Sequence, residues 1–387
     1  TVPRTLTLTG SNTGANTFTP TLGDSGIGAA SLTKSGAGTW VLNGANTFTG
    51  STTIDAGTLR LGVNSALSAS TAVNLTTSGA TFDVNGKTDT VGSIAGVAGT
   101  TISLGAGALT TAGNNSTTFA GVISGAGGSL TKNGSGTWTL AGANTYSGGT
   151  TITSGWLYAL NATGSATGSG TITINSGAVL AIGLGTTTGA VSGSIVDNGT
   201  LLFERTDNIS FGGITGSGGI LKGSSSGTGV LTLTGTNTYG GSTALFGGTV
   251  TDGAANAFSP NSAVTFFNSA GVNFNVGFNE TIAGLSDSGS VGGNVAIAGG
   301  ATLTINIPGT FSTSAYTGTI GGAGSLVKSG PGTEKLSGAN TFTGTTTVNG
   351  GVLEIPAVAN GGAASSLGAS SNAAANLVLN GGKLKYT

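Results

Sequence analysis

One sequence segment recurs four times along this chain, and the recurrence limits the possible folds more than any other feature. The four copies lie at residues 31–62, 129–160, 220–253 and 325–356. Each contains the same asparagine, at Asn46, Asn144, Asn237 and Asn340, so the copies follow one another at intervals of 98, 93 and 103 residues. Self-similarity at a nearly constant period is typical of stacked architectures, in which each unit packs on its neighbours. The recurrence therefore argues against a globular catalytic domain.

Composition narrows the fold class further. The chain has 387 residues, of which 76 are glycine and only 6% are charged, and its net charge is −1. No run of about 18 apolar residues could form a transmembrane helix, and the glycines lack the three-residue spacing of collagen. Hydrophobic residues make up 37% of the chain, which at this net charge is not typical of disorder. We therefore expect an ordered chain held together by backbone hydrogen bonds.

Short strand–turn–strand units occur throughout the chain. Thr, Val, Ile and Phe are frequent in them and favour strands, whereas glycine interrupts every window in which a helix could form. Such units lie at residues 52–62, 172–183, 264–277, 295–307, 346–355 and 377–387. Alternation predicts which side chains share one face of a strand, namely Leu59 and Leu61, Phe82 and Val84, Leu180 and Ile182, and Leu303 and Ile305.

Two arrangements of these strands fit the turns between them. Asn-Gly and Gly-Gly corners can close antiparallel hairpins, giving a sandwich or barrel array, or they can form the corners of a parallel β-helix. Only the β-helix explains directly why equivalent residues return in sequence order, since they would stack on successive rungs about 4.8 Å apart. We therefore predict an all-β, right-handed parallel β-helix, with residues 1–387 forming a single continuous β-solenoid of four super-repeats of ~98 residues. Rungs of about 20 residues would give roughly 19 coils.

The four copies resemble the autotransporter-associated β-strand repeat, also called the passenger-associated transport repeat. The shared pattern is L-x-K-x-G-x-G-T-W-x-L-x-G-x-N-T-[FY]-x-G-x-T-x-[IV]-x-x-G-x-L, which the first, second and fourth copies match closely. The third copy departs from it, with Gly229 where Trp40 and Trp138 stand, and Glu334 replaces the tryptophan of the fourth. The copies cover about a third of the chain.

The resemblance implies a bacterial surface protein whose passenger is a right-handed β-helix exported through an outer-membrane barrel. In that family the repeat is associated with efficient secretion and with large surface adhesins. The absence of cysteine fits a chain exported in an unfolded state. No charged and apolar leader opens the chain, so we expect it to be processed or a fragment. We expect it outside the cell or at the surface of a Gram-negative-type bacterium, with no membrane insertion of this segment.

No residue pattern indicates an enzyme, a metal site or a cofactor. Glycoside hydrolysis needs two carboxylates at a defined separation, and the twelve acidic residues are scattered. The tightest charged group, Glu204, Arg205 and Asp207, is interpreted as a solvated loop ion pair, the alternative being a contact to carbohydrate. The chain has no histidine for acid–base chemistry, and residues 321–328 lack the aspartate of calcium-binding repeats. A balanced charge gives no electrostatic basis for binding nucleic acid.

Three sets of side chains recur in phase and are candidate site residues. We expect the lysines to face outward at strand ends and to discourage aggregation, so that Lys132→Ala would be nearly neutral; they are Lys34, Lys132, Lys222 and Lys328. The aromatic positions are expected to cap or fill the core, with an exposed column that binds sugar rings as the alternative; they are Trp40, Trp138, Phe48, Tyr146, Tyr239 and Phe342. We expect each repeated asparagine to bond backbone groups at a turn.

The two ends of the chain keep the phase of the repeat. If Thr387 of one copy preceded Thr1 of the next, Asn340 and the following Asn46 would be 93 residues apart, within the observed intervals. We therefore expect end-to-end self-association through the terminal coils, either of separate subunits or within a longer protein. The predicted function is an extracellular structural rod, a module of a bacterial surface adhesin or fibre. The alternatives are an adhesin that itself binds a glycan or host protein, and a β-helical carbohydrate-active enzyme.

Overall fold

The computed structural model describes residues 4–26, 28–223, 226–267, 271–288, 292–309 and 313–387. These residues form 42 strands and one 3-10 helix, Ala374–Asn376. The ladders between described strands are parallel, for example Arg4–Leu8 with Ala30–Lys34. The chain is therefore a parallel β-solenoid, and the antiparallel sandwich or barrel alternative is wrong. Thr1, used in the argument about the ends, and residues 224–225 of the third copy lie outside the described residues.

The chain divides into two compact units, Thr1–Gly199 and Thr200–Thr387. In unit 1 one sheet stacks nine strands in the order β1 (Arg4–Leu8), β3 (Ala30–Lys34), β5 (Thr52–Ile54), β7 (Ala72–Leu75), β10 (Ser93–Gly96), β13 (Thr117–Phe119), β16 (Thr137–Leu140), β18 (Trp156–Ala159) and β20 (Val179–Thr186). A second sheet stacks β2 (Ala15–Phe18), β4 (Thr39–Leu42), β6 (Thr58–Leu61), β8 (Thr81–Asp83), β11 (Thr101–Ser103) and β14 (Val122–Ser124). A third stacks β9 (Thr88–Val91), β12 (Ala108–Thr111), β15 (Ser129–Lys132), β17 (Thr150–Ile152), β19 (Ile172–Ile174) and β21 (Ile195–Asp197).

Unit 2 is built in the same way from shorter stacks. One contains β22 (Thr200–Arg205), β25 (Gly219–Lys222), β27 (Thr243–Leu245), β29 (Ala263–Phe266) and β32 (Gly284–Asp287). A second contains β23 (Ile209–Gly212), β26 (Val230–Thr234), β28 (Thr249–Asp252), β30 (Asn273–Val276), β33 (Asn294–Ile297) and β36 (Thr319–Gly322). A third contains β31 (Glu280–Ile282), β34 (Thr302–Asn306), β37 (Ser325–Ser329), β39 (Thr346–Val348) and β41 (Leu377–Leu379). A fourth contains β35 (Thr313–Tyr316), β38 (Thr333–Leu336), β40 (Val352–Ile355) and β42 (Lys383–Tyr386), and β24 spans Ile214–Thr215.

The coils are longer than the expected 20 residues. Partners on adjacent coils are as close in sequence as Thr137 and Trp156 and as far apart as Thr346 and Leu377. Because most offsets exceed 20 residues, the chain makes about 16 turns, fewer than the roughly 19 expected.

The core follows the alternation that the sequence predicts. Strands such as β6 and β16 alternate half-buried and buried residues. The eight predicted inward residues are at most 2% exposed, and they include Leu59, Phe82, Leu180 and Leu303. The interior is thus a column of side chains that pack on their equivalents one coil above and below.

Equivalent strands of successive copies lie on different faces of the solenoid. In unit 1 the Ser-Leu-Thr-Lys strand of the first copy is β3, in the nine-strand stack, whereas that of the second copy is β15, in the third sheet. In unit 2 the corresponding strands, β25 and β37, also belong to different sheets. Equivalent residues of the copies therefore do not stack directly on one another, because the interval between copies is not a whole number of coils.

Candidate functional site

The repeated asparagine lies at the centre of each copy and is buried in all four. Its Oδ1 accepts a hydrogen bond from a backbone N–H of the preceding coil, at 2.7–2.9 Å; the donors are Leu22, Ile123, Ile214 and Ile320. Its Nδ2 donates to a backbone carbonyl of the following coil, at 2.5–2.9 Å; the acceptors are Ala66, Ala166, Ala257 and Ser366. Each asparagine thus joins three consecutive coils through a single amide group.

The repeated lysines are buried, which contradicts the expectation that they face solvent. Lys34, Lys132, Lys222 and Lys328 are at most 2% exposed. The Nζ of Lys34 donates to three carbonyl oxygens, those of Ser35 (3.1 Å), Gly36 (2.8 Å) and Ala56 (2.9 Å). Equivalent sets surround Lys132, with Asn133, Gly134 and Ser154, and Lys328, with Ser329, Gly330 and Gly350. The Nζ of Lys222 donates to the carbonyl oxygen of Gly227.

Strand alternation explains this burial. Lys34 is two residues after the inward-facing Leu32 on β3, so both side chains point into the solenoid. The next turn then presents carbonyl oxygens to the ammonium, and Gly36 makes that turn with a φ of 75° that favours glycine. Burial lowers the pKa of all four lysines, and it lowers that of Lys222 to about 8 against the opposing charge of Glu204. Lys34 follows the inward-facing Leu32 by two residues, and this spacing in the sequence predicts that the lysine faces inward as well.

The recurring aromatic side chains lie mainly inside the solenoid. Phe48, Tyr146, Tyr239 and Phe342 are at most 1% exposed. The hydroxyl of Tyr146 lies 2.5 Å from Thr150 Oγ1, and that of Tyr239 lies 2.7 Å from Thr243 Oγ1. These positions fill the core and leave no exposed column of aromatic rings for a sugar.

The tryptophan position differs between the copies. Trp138 is 2% exposed, whereas Trp40 is half-buried and its Nε1 donates to the carbonyl oxygen of Thr9 at 2.9 Å. Glu334 occupies the same position in the fourth copy and is fully buried. Burial raises the pKa of its carboxyl group well above the usual value, although Lys328 acts in the opposite direction.

Only part of the charged group at Glu204, Arg205 and Asp207 is the solvated ion pair that the sequence suggested. Arg205 and Asp207 form an ion pair at 2.6 Å, with the Asp207 side chain 38% exposed. Glu204 is 1% exposed, and its Oε2 accepts from the backbone N–H groups of Ser226 and Gly227, each at 3.1 Å. The assignment of Glu204 to solvent is therefore wrong, because its position in β22 turns it toward the interior.

Other buried carboxylates bind backbone N–H groups of the neighbouring coil. Glu280 accepts from Ala257 (3.0 Å) and Phe258 (2.9 Å), and Asp252 accepts from Gly277 (2.7 Å) and Phe278 (2.8 Å). Burial raises the pKa of Glu280 to about 7, and that of both Asp89 and Asp197 to about 6. Glu280, Asp252 and Asp89 thus join coils through main-chain donors, whereas Asp197 accepts from Gly199, two residues further along the same coil.

The described residues contain neither a cluster of metal ligands nor a membrane-spanning helix. Those residues contain no group of three or more acidic side chains placed to hold a metal ion. Among the same residues, no helix has the length and apolar character needed to cross a bilayer.

Comparison with known proteins identifies the repeated segment. A family model described as the passenger-associated-transport-repeat matches residues 32–61, 130–159, 226–251 and 326–355. A protein named adhesin BmaC autotransporter, from Brucella suis biovar 1 (strain 1330), is 38% identical over 377 residues, which is 93% of this chain. The chain spans only 11% of the length of that relative. No solved structure matches.

The matched ranges contain the three-coil asparagine of every copy, and those of the first, second and fourth copies also contain the buried lysine; the third range begins at residue 226, after Lys222. The agreement includes the third copy, whose sequence departs most from the pattern. The chain therefore carries four passenger-associated-transport repeats within a parallel β-solenoid.

Proposed function

We propose that this chain is a non-enzymatic structural segment of a surface adhesin, displayed outside a Gram-negative bacterium. The observation that carries the proposal is the similarity along 93% of the chain to an autotransporter adhesin. The buried polar groups support a structural role, because asparagine, lysine and carboxylate side chains join neighbouring coils. A catalytic carboxylate must be free to reach a substrate, whereas Glu280 and Asp252 are held by main-chain donors.

Surface display of the chain tests this proposal. Residues 1–387 would be produced between a secretion signal and an outer-membrane translocator, and intact cells would be probed with an antibody and with an added protease. We expect antibody labelling, and loss of the label after protease treatment. The matched control is the same fusion carrying Leu180→Asp, which should disrupt the buried column. A native chain that stays inaccessible in intact cells, while the translocator alone reaches the surface, would contradict the proposal.

We further propose that the last coil of unit 2 pairs with another coil of the same kind. Leu377, Val378 and Leu379 of β41 are 38%, 38% and 54% exposed, and Tyr386 of β42 is 67% exposed. These strands pair on one side with β39 and β40, so their other edge can accept a further strand. The added coil would come from a second copy of the chain or from continuing sequence.

Sedimentation velocity tests the pairing between copies. The chain should form species that grow with protein concentration, since a contact of this kind repeats head to tail. Leu379→Lys should reduce that growth, whereas Leu184→Lys, on an exposed leucine of unit 1, should not. A single monomeric species at all concentrations, with the terminal strands folded, would refute stacking between separate copies.

A further inference from the structure

The outer surface of the nine-strand stack in unit 1 carries a pair of stacked aromatic rings, one exposed and one half-buried. Trp156 and Tyr158 are two residues apart on β18, and both point away from the core because Leu157 and Ala159 are buried. Their ring centroids are 5.8 Å apart and their planes are within 16° of parallel. Trp156 is 38% exposed. We call these two rings the aromatic platform.

The platform is specific to the second copy. The corresponding outward positions in the other copies are Thr58 and Arg60, Thr249 and Thr251, and Val352 and Glu354. Arg60 forms an ion pair with Asp83 at 2.7 Å, and Glu354 binds Lys335 and Lys385. Because other copies form their coils with hydroxyl, charged or aliphatic groups at these positions, stacking of the coils does not require two aromatic rings there.

A shallow groove lies on the same surface, three coils away. Ala95, Gly96 and Val97 line it, together with Asn74 and Thr118, and its volume is about 410 Å³. The strand register connects the groove to the platform, since Asn74 pairs with Ala95, Thr118 with Thr139, and Thr139 with Tyr158. At the usual strand spacing, Ala95 and Tyr158 are about 14 Å apart along the stack. A short oligosaccharide can span this distance.

The chemistry of this surface selects the class of ligand. None of the six strands that form it, all fully described, contains a charged residue; they are β7, β10, β13, β16, β18 and β20. A charged polymer would find no complementary charge on them. The face of an aromatic ring is electronegative and attracts the C–H groups on the apolar face of a sugar ring. Threonine hydroxyls and the Asn74 amide can bond sugar hydroxyls as donors or acceptors.

We propose that this surface binds a neutral oligosaccharide. One sugar ring stacks on the aromatic platform, and the following sugars extend past Thr139 and Thr118 into the groove at Asn74. A few polar groups beside an apolar surface are the usual composition of a ligand site. The proposal names a ligand class for the adhesin segment, and its biological use rests on the surface display proposed above.

Titration of the full 387-residue chain with sugars tests the proposal. The probes are cellohexaose, maltohexaose and chitohexaose, with the acidic hexamer of galacturonic acid for comparison. Tryptophan fluorescence reports on the platform, because Trp138 is buried and Trp40 is half-buried. We expect saturable binding of at least one neutral hexamer, a loss of affinity of about tenfold or more in Trp156→Ala, and a smaller loss in Tyr158→Ala, both measured by calorimetry.

The matched control is Phe246→Ala. Phe246 is 37% exposed and stacks on Phe267 at 4.6 Å in unit 2, so its removal deletes an exposed stacked ring without touching the platform. Circular dichroism and the urea midpoint confirm that each variant is folded.

Three results would overturn the assignment. They are the absence of binding by every neutral hexamer, equal binding by Trp156→Ala, and equally tight binding of the acidic hexamer. Concentration-dependent self-association that Trp156→Ala abolishes, without sugar binding, would also overturn it and would identify a protein interface. The titration is performed on purified protein, so its failure would leave the result of the surface-display experiment unaffected.

Discussion

Asparagine is the residue best suited to join three coils at one point. Its planar amide offers an acceptor and two donors, and in Asn144 these reach Ile123 on one side and Ala166 on the other. A carboxylate could only accept, and a serine hydroxyl is too short to reach both coils. The side chain is 4% exposed, so water cannot replace the lost partners.

Replacement of Asn144 by alanine should therefore be costly. Asn144→Ala leaves the N–H of Ile123 and the carbonyl of Ala166 without their side-chain partner, which should lower the free energy of unfolding by about 2–4 kcal/mol. The urea midpoint measures the change, and Asn115→Ala, at an exposed asparagine, is the control. Equal midpoints for the two variants would show that the three-coil contact contributes nothing.

The buried lysines lead to a second prediction, the reverse of that made from the sequence. Lys132→Ala removes an ammonium that satisfies three carbonyl oxygens and leaves a void, so we expect a loss of about 2–4 kcal/mol. Lys383→Ala, at an exposed lysine, should change stability by less than about 0.5 kcal/mol. Thermal unfolding of the two variants compares them, and a neutral Lys132→Ala would mean that water replaces the ammonium.

At the scale of the strand, the solenoid depends on alternation between a buried and an outward face. Each inward side chain contacts equivalents above and below it, as Leu157 does with Trp138 and Leu180, its register partners on the adjacent coils. Main-chain groups of a turn satisfy the polar residue on the inward face at Lys132, and side-chain hydroxyls do so at Tyr146.

Leu180→Asp should accordingly be among the most damaging substitutions. It would place a charge without a partner at a fully buried position, for which we expect a loss of about 3–5 kcal/mol. Thr173→Asp, at an outward position of β19, is the matched control and should be tolerated. The fraction of soluble protein and the urea midpoint are the measurements, and similar values for both variants would contradict the orientation of these strands.

The buried carboxyl groups predict an unusual dependence of stability on pH. Burial raises the pKa of Asp89 and Asp197 to about 6 and that of Glu280 to about 7, against ordinary values of 3.8 and 4.5. The folded state therefore binds these protons more tightly, so their contribution is fully present below the ordinary pKa and is lost as pH rises through 6 to 7. We expect the free energy of unfolding to increase by roughly 3–5 kcal/mol between pH 7.5 and pH 5, the upper value being the full sum of the three contributions over that range.

Urea titrations at pH 7.5, 6 and 5 measure this trend. The double variant Asp89→Asn, Glu280→Gln should flatten it, because only Asp197 remains of the three groups. The lowered pKa of Lys222, about 8, has the opposite effect on stability as pH falls. That effect occurs mainly between the ordinary lysine pKa and pH 8, which is above the range tested. A midpoint that falls steadily with acidification would refute the prediction.

The sequence predicted the strands and the core better than the buried polar residues. Alternation was sufficient to assign Leu59 and Leu180 to the interior, because burial of apolar side chains is the default. Lys34 was assigned to the surface because lysine is usually exposed. The carbonyl oxygens that accept its hydrogen bonds belong partly to the next coil, so they cannot be predicted from one segment. The platform at Trp156 was not predicted because its two aromatic residues occur in only one of the four copies, whereas the candidate residues were those that recur in several copies.

At the scale of the whole molecule, stability in a solenoid comes from contacts between adjacent coils. Sheets in Thr1–Gly199 pair strands that are about one coil apart in sequence, such as β3 with β5. Long-range closure between distant segments is therefore not needed for the coils of this unit to form.

Residues 1–199 should consequently fold when produced alone. We expect a circular dichroism spectrum typical of β-structure and a cooperative urea transition. The sugar titration proposed for Trp156 should also be reproduced by this fragment, because every residue of the platform and groove belongs to it. An unfolded fragment would show that its coils depend on contacts with the rest of the chain.

The asparagine that bonds the coils on both sides also determines an order of events in time. Asn46 can bond Leu22 as soon as its own coil forms, but its bond to Ala66 must wait until 20 further residues have been delivered. A chain that enters a compartment with its N-terminal end first would therefore complete each junction one coil behind the advancing segment. Every completed junction would oppose the chain's return, and the same amide that aligns the finished coils would make their assembly directional.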